Sequence, residues 1–186
     1  MIKNTESVKI SENMNKTQVM IFTGLLFAIA MVLSLFESIV LVVPVAVPGV
    51  KFGLSNIAVM FAIFFLGAQQ AYEIAILKAI FIFLTRGGIA GTLSLSGGLL
   101  SITCMLLMIR ILKEKVTYIS ISVVGAVTHN LGQFLVISVL YIGAGLWAYL
   151  PVLVMFGVIA GIMTAILLQI ILPALKRVAI KNRNTN

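Results

Sequence analysis

The run QVMIFTGLLFAIAMVLSLF at residues 18–36 contains no charged side chain. A helix needs about 20 predominantly apolar residues to cross the hydrocarbon core of a bilayer, so this run predicts a membrane-spanning helix. The rest of the chain has the same character, because 61% of its 186 residues are hydrophobic and only 10% are charged. Soluble domains are about 25% charged. The sequence therefore predicts an integral membrane protein of the all-α class, embedded in a lipid bilayer.

Further apolar runs follow the first, and together they predict six transmembrane helices, at residues 18–36, 53–67, 70–84, 92–112, 118–142 and 149–173. The segment at residues 37–51 is also apolar, but it contains Pro44, Pro48 and Gly49. These residues break helices and leave backbone groups that lipid cannot satisfy. We interpret the segment as an outer loop, or a re-entrant segment, that is buried against protein.

The basic residues predict the orientation. Ten of the thirteen lysines and arginines fall on the side of the two termini: Lys3, Lys9, Lys16, Arg110, Lys113, Lys115, Lys176, Arg177, Lys181 and Arg183. Cytoplasmic loops carry an excess of Lys and Arg, so we expect both termini in the cytoplasm and a multi-pass protein in the plasma membrane. Because the positive charge lies beside apolar runs, it indicates membrane topology and not nucleic-acid binding.

These assignments divide the chain into three parts. They are a cytoplasmic N-terminal tail at residues 1–17, a six-helix membrane domain at 18–173 and a basic cytoplasmic C-terminal tail at 174–186. The chain is too short for a separate soluble domain, because each span takes about 20 residues. Any function therefore belongs to the membrane domain.

A polar stripe interrupts the fifth predicted helix. Within about 60° of one another, one face of this helix carries Ser122, Ala126, His129 and Gln133. Asn130 borders the same face. Polar groups at membrane depth are costly and are functional candidates by default, so the stripe predicts a polar cavity. The alternative is that these side chains only join neighbouring helices by hydrogen bonds, worth about 0.6 kcal/mol each on average.

Three cations are not explained by topology, namely Lys51, Lys78 and Arg86. Lys51 and Arg86 are predicted near the outer surface, beside glycines that expose backbone N–H groups, and this arrangement favours an anion-binding site. The alternative for both is snorkelling to lipid phosphates. Lys78 lies about halfway along the third span, where it could line the cavity or be neutralised by Glu37. Asn56 adds a polar side chain near the start of the second span.

Small residues spaced by three or four predict faces where helices approach closely. Such faces occur on the fourth span, at Ser94, Gly97, Gly98, Ser101 and Cys104, and on the last, at Gly157, Gly161 and Ala165. The first span carries a third face, at Gly24 and Ala28. Packing within the chain explains all three, and docking of a partner protein is the alternative for the first helix.

The chain lacks several groups that enzymes of phosphate chemistry use. Its sequence contains no aspartate, one histidine and one cysteine, and no glycine-rich phosphate loop that ends in Lys and Ser or Thr. ATP hydrolysis, and binding of a magnesium diphosphate through clustered carboxylates, are therefore unsupported. We expect no metal, no cofactor and no catalytic activity, and an energy source outside this chain.

Four motifs carry a resemblance to a known family: PGVKFGLSNIAVM at residues 48–60, LSGGLLS at 95–101, GAVTHNLGQ at 125–133 and YLPVLVMFGVIAG at 149–161. Over about residues 20–172, the chain resembles the Gx-transporter family, also labelled heptaprenyl diphosphate synthase component I. One departure is Lys78, where the family pattern has arginine. Lysine keeps the charge but loses the bidentate geometry of a guanidinium.

That family is similar to the S components of energy-coupling-factor transporters, six-helix proteins that bind a vitamin or precursor from outside. The resemblance implies a substrate pocket in the outer half of the membrane, covered by the loops after helices 1, 3 and 5. It also implies that Gly24 and Ala28 dock a transmembrane coupling subunit serviced by two cytoplasmic ATPases. The family label further implies a link to polyprenyl diphosphate synthesis, but this sequence lacks the aspartate-rich motifs with which such synthases hold magnesium.

The leading hypothesis is a membrane substrate-binding subunit for uptake of a small anionic or amphipathic precursor, related to isoprenoid, quinone or flavin metabolism. The predicted substrate-binding residues are Lys51, Asn56, Lys78, Arg86, His129, Asn130 and Gln133. The outer cations would attract the anionic end, and the polar stripe would hydrogen-bond a deeper group. The alternative is a non-catalytic membrane partner of a polyprenyl diphosphate synthase or of a quinone or flavin electron-transfer system.

Overall fold

The structure is a computed structural model that describes residues 14–40, 53–140 and 146–181. These residues form six α-helices: α1 (Lys16–Val40), α2 (Asn56–Phe65), α3 (Ala68–Arg86), α4 (Gly88–Leu112), α5 (Tyr118–Leu140) and α6 (Leu150–Lys181). Short 3₁₀ turns lie at Lys113–Lys115 and Leu146–Tyr149. The described residues contain no β-strand, and the predicted all-α class is confirmed.

Five of these helices are long and apolar enough to cross a membrane, and α2 is the exception. It has 10 residues, and at 1.5 Å per residue its length is about 15 Å, half the thickness of the hydrocarbon core. A multi-pass, all-α membrane protein is thus confirmed. The count of six spans is not confirmed, because the apolar run at residues 53–67 forms this short helix. The plasma membrane, the cytoplasmic termini and the division into tails and membrane domain stay predictions.

α2 lies at the centre of the described bundle. All 10 of its residues are buried, and it contacts α1, α3, α4 and α6. The Phe61 ring lies 5.9 Å from that of Phe22 on α1 and 4.4 Å from that of Phe65. The Phe64 ring meets that of Tyr118, at the start of α5, at 5.2 Å. Such ring pairs add about 0.5–1.5 kcal/mol each beyond the area they bury, so neighbouring helices hold α2 in place.

α4, α5 and α6 pack through glycines. A Cβ atom added at Gly161 of α6 would lie 2.5 Å from the Cα of Val123 on α5, and one at Gly132 of α5 would lie 2.9 Å from the Cα of Gly97 on α4. Such distances are shorter than van der Waals contact, so these helices approach closely only because the side chains are missing. Packing within the chain, predicted for the small-residue faces of the fourth and last spans, is confirmed.

The small-residue face of α1 differs from the other two. Gly24 and Ala28 are both exposed, and a Cβ atom added at Gly24 would meet no atom of the described residues within 4 Å. Packing within that part of the chain therefore does not explain the glycine. The alternative explanation, contact with a partner protein, gains support.

Some predictions fall on residues outside the described part of the chain. Lys51 is one of them, and so are Pro44, Pro48 and Gly49 of the interpreted outer loop or re-entrant segment. Residues 1–13 of the predicted N-terminal tail and residues 182–186 of the predicted C-terminal tail are others, whereas residues 174–181 of that C-terminal tail continue α6. The structure does not test the predictions made for these residues.

Candidate functional site

The start of α2 is bound by a carboxylate from α1. Glu37 is 6% exposed, and its Oε1 and Oε2 atoms accept hydrogen bonds from the backbone N–H groups of Gly53 at 2.7 Å and Leu54 at 3.2 Å. Gly53 has a φ of 72°, a left-handed conformation that glycine adopts without strain. A carboxylate here also interacts favourably with the positive end of the helix dipole. Glu37 thus fixes α2 to α1.

A lysine from α3 reaches the same turn. Lys78 is 5% exposed, and its Nζ atom donates a hydrogen bond to the Ser55 Oγ at 2.8 Å and a longer one to the Asn56 Oδ1 at 3.5 Å. Lys78 lies ten residues from the start of α3, about 15 Å along the helix axis. We call this group the α2-start cluster; its members are Glu37, Gly53, Leu54, Ser55, Asn56 and Lys78.

The α2-start cluster carries one buried charge of each sign. Glu37 binds the first two residues of the turn and Lys78 binds the next two. Two opposite charges so placed lower the cost of removing each from water, and the hydrogen bonds satisfy them. The sequence had left open whether Lys78 meets Glu37; the structure brings both side chains to one turn, together with Asn56.

Arg86 lies at the end of α3 and contacts α1. It is partly buried, and its Nη2 atom donates a hydrogen bond to the backbone carbonyl of Ser34 at 3.3 Å. Ser34 is three residues before Glu37 on α1, so Arg86 and the α2-start cluster lie toward the same end of the helices. This is the predicted outer end. Asn56, Lys78 and Arg86 thus lie on α2 and α3; a hydrogen bond joins Asn56 to Lys78, and Arg86 binds α1 instead.

The polar stripe of α5 faces the other helices. His129, Asn130 and Gln133 are all at least 94% buried. Asn130 donates from Nδ2 to the backbone carbonyl of Leu153 on α6 at 3.3 Å. The Gln133 Nε2 and His129 Nε2 atoms lie 3.2 Å apart, within hydrogen-bonding distance. A Cβ atom added at Gly97 of α4 would lie 2.9 Å from the His129 ring, so α4 covers this side of the stripe.

The contacts of Asn130 agree with the packing interpretation of the stripe, and those of Gln133 agree with the polar-cavity interpretation. Asn130 joins α5 to α6, as a purely packing role requires. Gln133 keeps an unused acceptor, because its Oε1 atom is buried and has no hydrogen-bond partner among the described residues. Ser122 Oγ, on the same face, and Ser94 Oγ, on α4, share this property. A buried acceptor without a partner costs about 1–3 kcal/mol, and a bound polar ligand or water would remove that cost.

Several grooves lie on the described surface, and three of them bear on the predicted faces. Two are apolar: one of about 290 Å³ between α3 and α4 and one of about 420 Å³ between α4 and α5. The third, of about 700 Å³, lies between the starts of α1 and α3 and is lined in part by Met20, Thr23, Gly24, Gln70, Glu73 and Leu77. We call it the α1–α3 groove. These three grooves contain Gly24, from the predicted docking face, but none of the predicted substrate-binding residues.

The sequence alone missed part of the α2-start cluster. Ser55, the shortest contact of Lys78, was not among the predicted binding residues, although it directly precedes Asn56. A serine beside a helix start is a common local signal. Glu37 could not be assigned to Gly53 and Leu54, because 16 and 17 residues separate them in the chain. Among the described residues, no three His, Cys, Asp or Glu side chains are grouped as a metal site.

Comparison with known proteins gives one match. The model of a family described as heptaprenyl diphosphate synthase component I matches residues 26–171. No curated protein and no solved structure matches the chain. The matched range contains both the α2-start cluster and the polar stripe of α5, together with most of α1 and α6.

Proposed function

The chain belongs to the heptaprenyl diphosphate synthase component I family, and we propose that it serves as a membrane substrate-binding subunit for uptake of a small anionic or amphipathic precursor. The family description connects it with a synthase of the isoprenoid pathway. A precursor in isoprenoid, quinone or flavin metabolism is consistent with that connection. In this proposal the chain binds the precursor and performs no chemistry on it.

The observation that carries the proposal is the burial of Lys78 in the α2-start cluster. An ammonium group at membrane depth is costly and is usually retained for function. The Lys78 Nζ atom stands beside the amide of Asn56, so an anionic group placed there would find a positive charge and an N–H donor together. Arg86 lies toward the same end of α3 and would draw the anion inward. Lys51 precedes Asn56 by five residues and would add to the same field.

The polar stripe of α5 supplies the second part of the proposed site. The buried Oε1 atom of Gln133 can accept a hydrogen bond, so it would contact a donor on the deeper part of the precursor. His129 is within hydrogen-bonding distance of Gln133 and would hold that side chain in place. Asn130 would act less directly, since its amide already joins α5 to α6.

Uptake needs an energy source, and we propose that partner proteins supply it. The sequence has no glycine-rich phosphate loop and no aspartate, so hydrolysis of ATP would fall to cytoplasmic ATPases acting through a transmembrane coupling subunit. The exposed Gly24 and Ala28 on α1 support a docking face for that subunit. Small residues allow the backbone of a second helix to approach closely.

Native mass spectrometry of the protein in lipid nanodiscs tests substrate binding. We expect one small anionic or amphipathic molecule on the wild-type chain. Its occupancy should fall about tenfold in Lys78→Met, a change of roughly 1.4 kcal/mol in binding free energy. Lys78→Arg, which keeps the charge, should retain it, and so should Glu73→Gln, in which an exposed carboxylate outside the cluster is neutralised. An empty wild-type protein, or equal occupancy in Lys78→Met, would contradict the proposal.

A second candidate function rests on the family description itself. The chain would be a non-catalytic membrane partner of a polyprenyl diphosphate synthase, or of a quinone or flavin electron-transfer system. Affinity purification from native membranes separates the two candidates. Recovery of a coupling subunit and ATPases supports uptake, whereas recovery of a prenyl synthase or a redox protein supports the second candidate.

A further inference from the structure

Ser94 is a buried polar residue of α4 whose hydroxyl group the packing of the described helices does not use. It is 5% exposed, and its Oγ atom has no hydrogen-bond partner among the described residues. Two other serines of α4 do bond to α5. Ser96 donates to the backbone carbonyl of Gly132 at 3.1 Å, and Ser101 donates to that of Gly125 at 2.8 Å. Since a buried hydroxyl without a partner is costly, a partner for Ser94 is expected from another molecule.

Ser94 points between α3 and α5. On α4, a Cβ atom added at Gly98 would lie 3.4 Å from that of Ala75 on α3, and one added at Gly97 would lie 2.9 Å from the His129 ring on α5. Successive residues of a helix are about 100° apart. The direction of Ser94 is therefore about 60° from that of Gly97 and about 40° from that of Gly98, so it falls within the angle between the two neighbouring helices.

Lys78 of α3 lies at the level of Ser94 in the bundle. Gly91, three residues before Ser94, is so close to α3 that an added Cβ atom would lie 2.6 Å from that of Phe83, five residues after Lys78. Gly98, four residues after Ser94, contacts α3 three residues before Lys78. Because the two helices run in opposite directions, Ser94 and Lys78 both lie between these contacts. Their levels along the helix axis differ by no more than about 3 Å.

Gln133 of α5 lies at the same level on the other side of Ser94. The hydrogen bond from Ser96 to Gly132 fixes the register of α4 and α5, and a Cβ atom added at Gly97 would lie 3.0 Å from the Cγ of Gln133. Ser94 is two residues before Ser96, and Gln133 is one residue after Gly132. In antiparallel helices this places the two within about 2 Å of one level. The buried Oε1 atom of Gln133 and the Oγ atom of Ser94, both without a partner among the described residues, thus lie at the same level on adjacent helices.

We propose that Ser94 binds the precursor together with Lys78 and Gln133, so that α4 joins the α2-start cluster and the α5 stripe into one site. This inference rests on the proposed uptake function, and it specifies a further binding residue and the class of the ligand. All three side chains are at least 95% buried. The Lys78 ammonium group binds the anionic group, and the Ser94 hydroxyl can donate or accept a hydrogen bond beside it. The Gln133 Oε1 atom only accepts, so the ligand carries a hydroxyl or N–H group close to its anionic group.

The same three groups disfavour a prenyl diphosphate as the ligand, although the family description names a synthase of such a compound. Its diphosphate group would suit Lys78, but the rest of the molecule is hydrocarbon and donates no hydrogen bond. That chain would cover Ser94 and Gln133 and leave both polar groups unsatisfied, which is costly in a buried site. A small polar anion satisfies all three side chains.

Native mass spectrometry of single-site variants in nanodiscs tests the role of Ser94 on the full chain. The molecule that co-purifies with the wild type is released and titrated back onto the emptied protein. Ser94→Ala should raise its Kd about fivefold, the effect of one hydrogen bond, and should keep the melting temperature, because this hydroxyl bonds to none of the described residues. Ser101→Ala is the matched control on the same face of α4. It should lower the melting temperature by a few degrees, because it loses the bond to Gly125, and should leave the Kd unchanged.

The identity of the bound molecule is the second readout. Accurate mass and fragmentation should show an acid group and at least one hydroxyl or N–H group outside it. Farnesyl diphosphate, added as a probe whose remainder is hydrocarbon, should not displace the molecule. A bound molecule with only hydrocarbon beyond its acid group, displacement by farnesyl diphosphate, or an equal Kd in Ser94→Ala and the wild type would overturn the inference.

These outcomes differ from a failure of the proposed function. An empty wild-type protein would contradict substrate binding and this inference together. A bound molecule whose Kd rises in Lys78→Met but not in Ser94→Ala would keep the proposed function and remove only the role of Ser94.

Discussion

The two halves of the bundle are held together by different interactions. In α1–α3, buried charges meet polar groups around the start of α2, and phenylalanine rings pack beside them. In α4–α6, the helices are in contact through backbone atoms at glycines, and a neutral polar side chain, that of Asn130, hydrogen-bonds from α5 to α6. A contact between backbone atoms leaves no room for a ligand, whereas a charged side chain can exchange one polar partner for another. The comparison favours α1–α3 for binding the anionic end of a precursor, whereas the glycine contacts of α4–α6 favour rigidity and leave the buried Gln133 Oε1 atom on α5 as an acceptor for its deeper part.

The same comparison separates two uses of one sequence pattern. Small residues spaced by four occur on α1 and on α6. On α6 the glycines contact backbone atoms of α5, whereas on α1 a Cβ atom added at Gly24 would meet no described atom within 4 Å. A small residue therefore permits close approach, but only its surroundings decide whether the approaching helix belongs to the same chain.

Breaking the contact between α5 and α6 should have the largest effect. Gly161→Leu would place side-chain atoms where the Cα of Val123 stands, 2.5 Å from the position of the first added carbon. Overpacking against a backbone that cannot move should cost about 3 kcal/mol or more, which lowers the melting temperature by roughly 10 °C. Scanning fluorimetry in detergent measures the shift. An unchanged melting temperature would show that α5 and α6 are not in this contact.

Removing the charge that binds the start of α2 should have an intermediate effect. Glu37→Gln keeps the size of the side chain but replaces one acceptor oxygen by an amide NH₂ group that cannot accept from Leu54. Hydrogen bonds to charged groups contribute about 1.5–3 kcal/mol, so the melting temperature should fall by roughly 5 °C. Glu73→Gln, at an exposed carboxylate, is the matched control and should melt like the wild type. Equal melting of both variants would argue against the role of Glu37.

Filling the open face of α1 should have the smallest effect on stability. Gly24→Leu adds a side chain where no described atom lies within 4 Å, so the free energy of unfolding should change by no more than about 0.5 kcal/mol. Recovery of the partner subunit from native membranes should nevertheless fall, because the added side chain occupies the groove. A fall in melting temperature as large as that of Gly161→Leu would contradict the open face.

α4 and α5 were predicted closely from the sequence, whereas α6 continues to Lys181, eight residues past its predicted end at residue 173. The spans predicted at residues 92–112 and 118–142 correspond to Gly88–Leu112 and Tyr118–Leu140, because charged and polar residues mark the ends of these runs. The second predicted span, at residues 53–67, was harder to predict. A helix buried in protein and a helix facing lipid are both apolar all round, so composition could not reveal that α2 is too short to cross the bilayer.

The candidate site was predicted in part. Asn56 and Lys78 were recognised because polar groups in apolar runs stand out, and the structure brings them together at one turn. Their contact with Ser55 and the position of Glu37 depend on how α1, α2 and α3 are arranged in space, which spacing along the chain does not contain. The α5 stripe was correctly recognised as buried, but which neighbour each side chain contacts depended on α4 and α6.

The shortness of α2 has a consequence for how the protein is made. A ten-residue helix cannot settle across a bilayer as an independent span, so its place in the membrane interior depends on the helices around it. One of those helices is α6, which leaves the ribosome last of the six. The environment of α2, and with it the turn that holds Glu37 and Lys78, is therefore completed only after α6 has been synthesised.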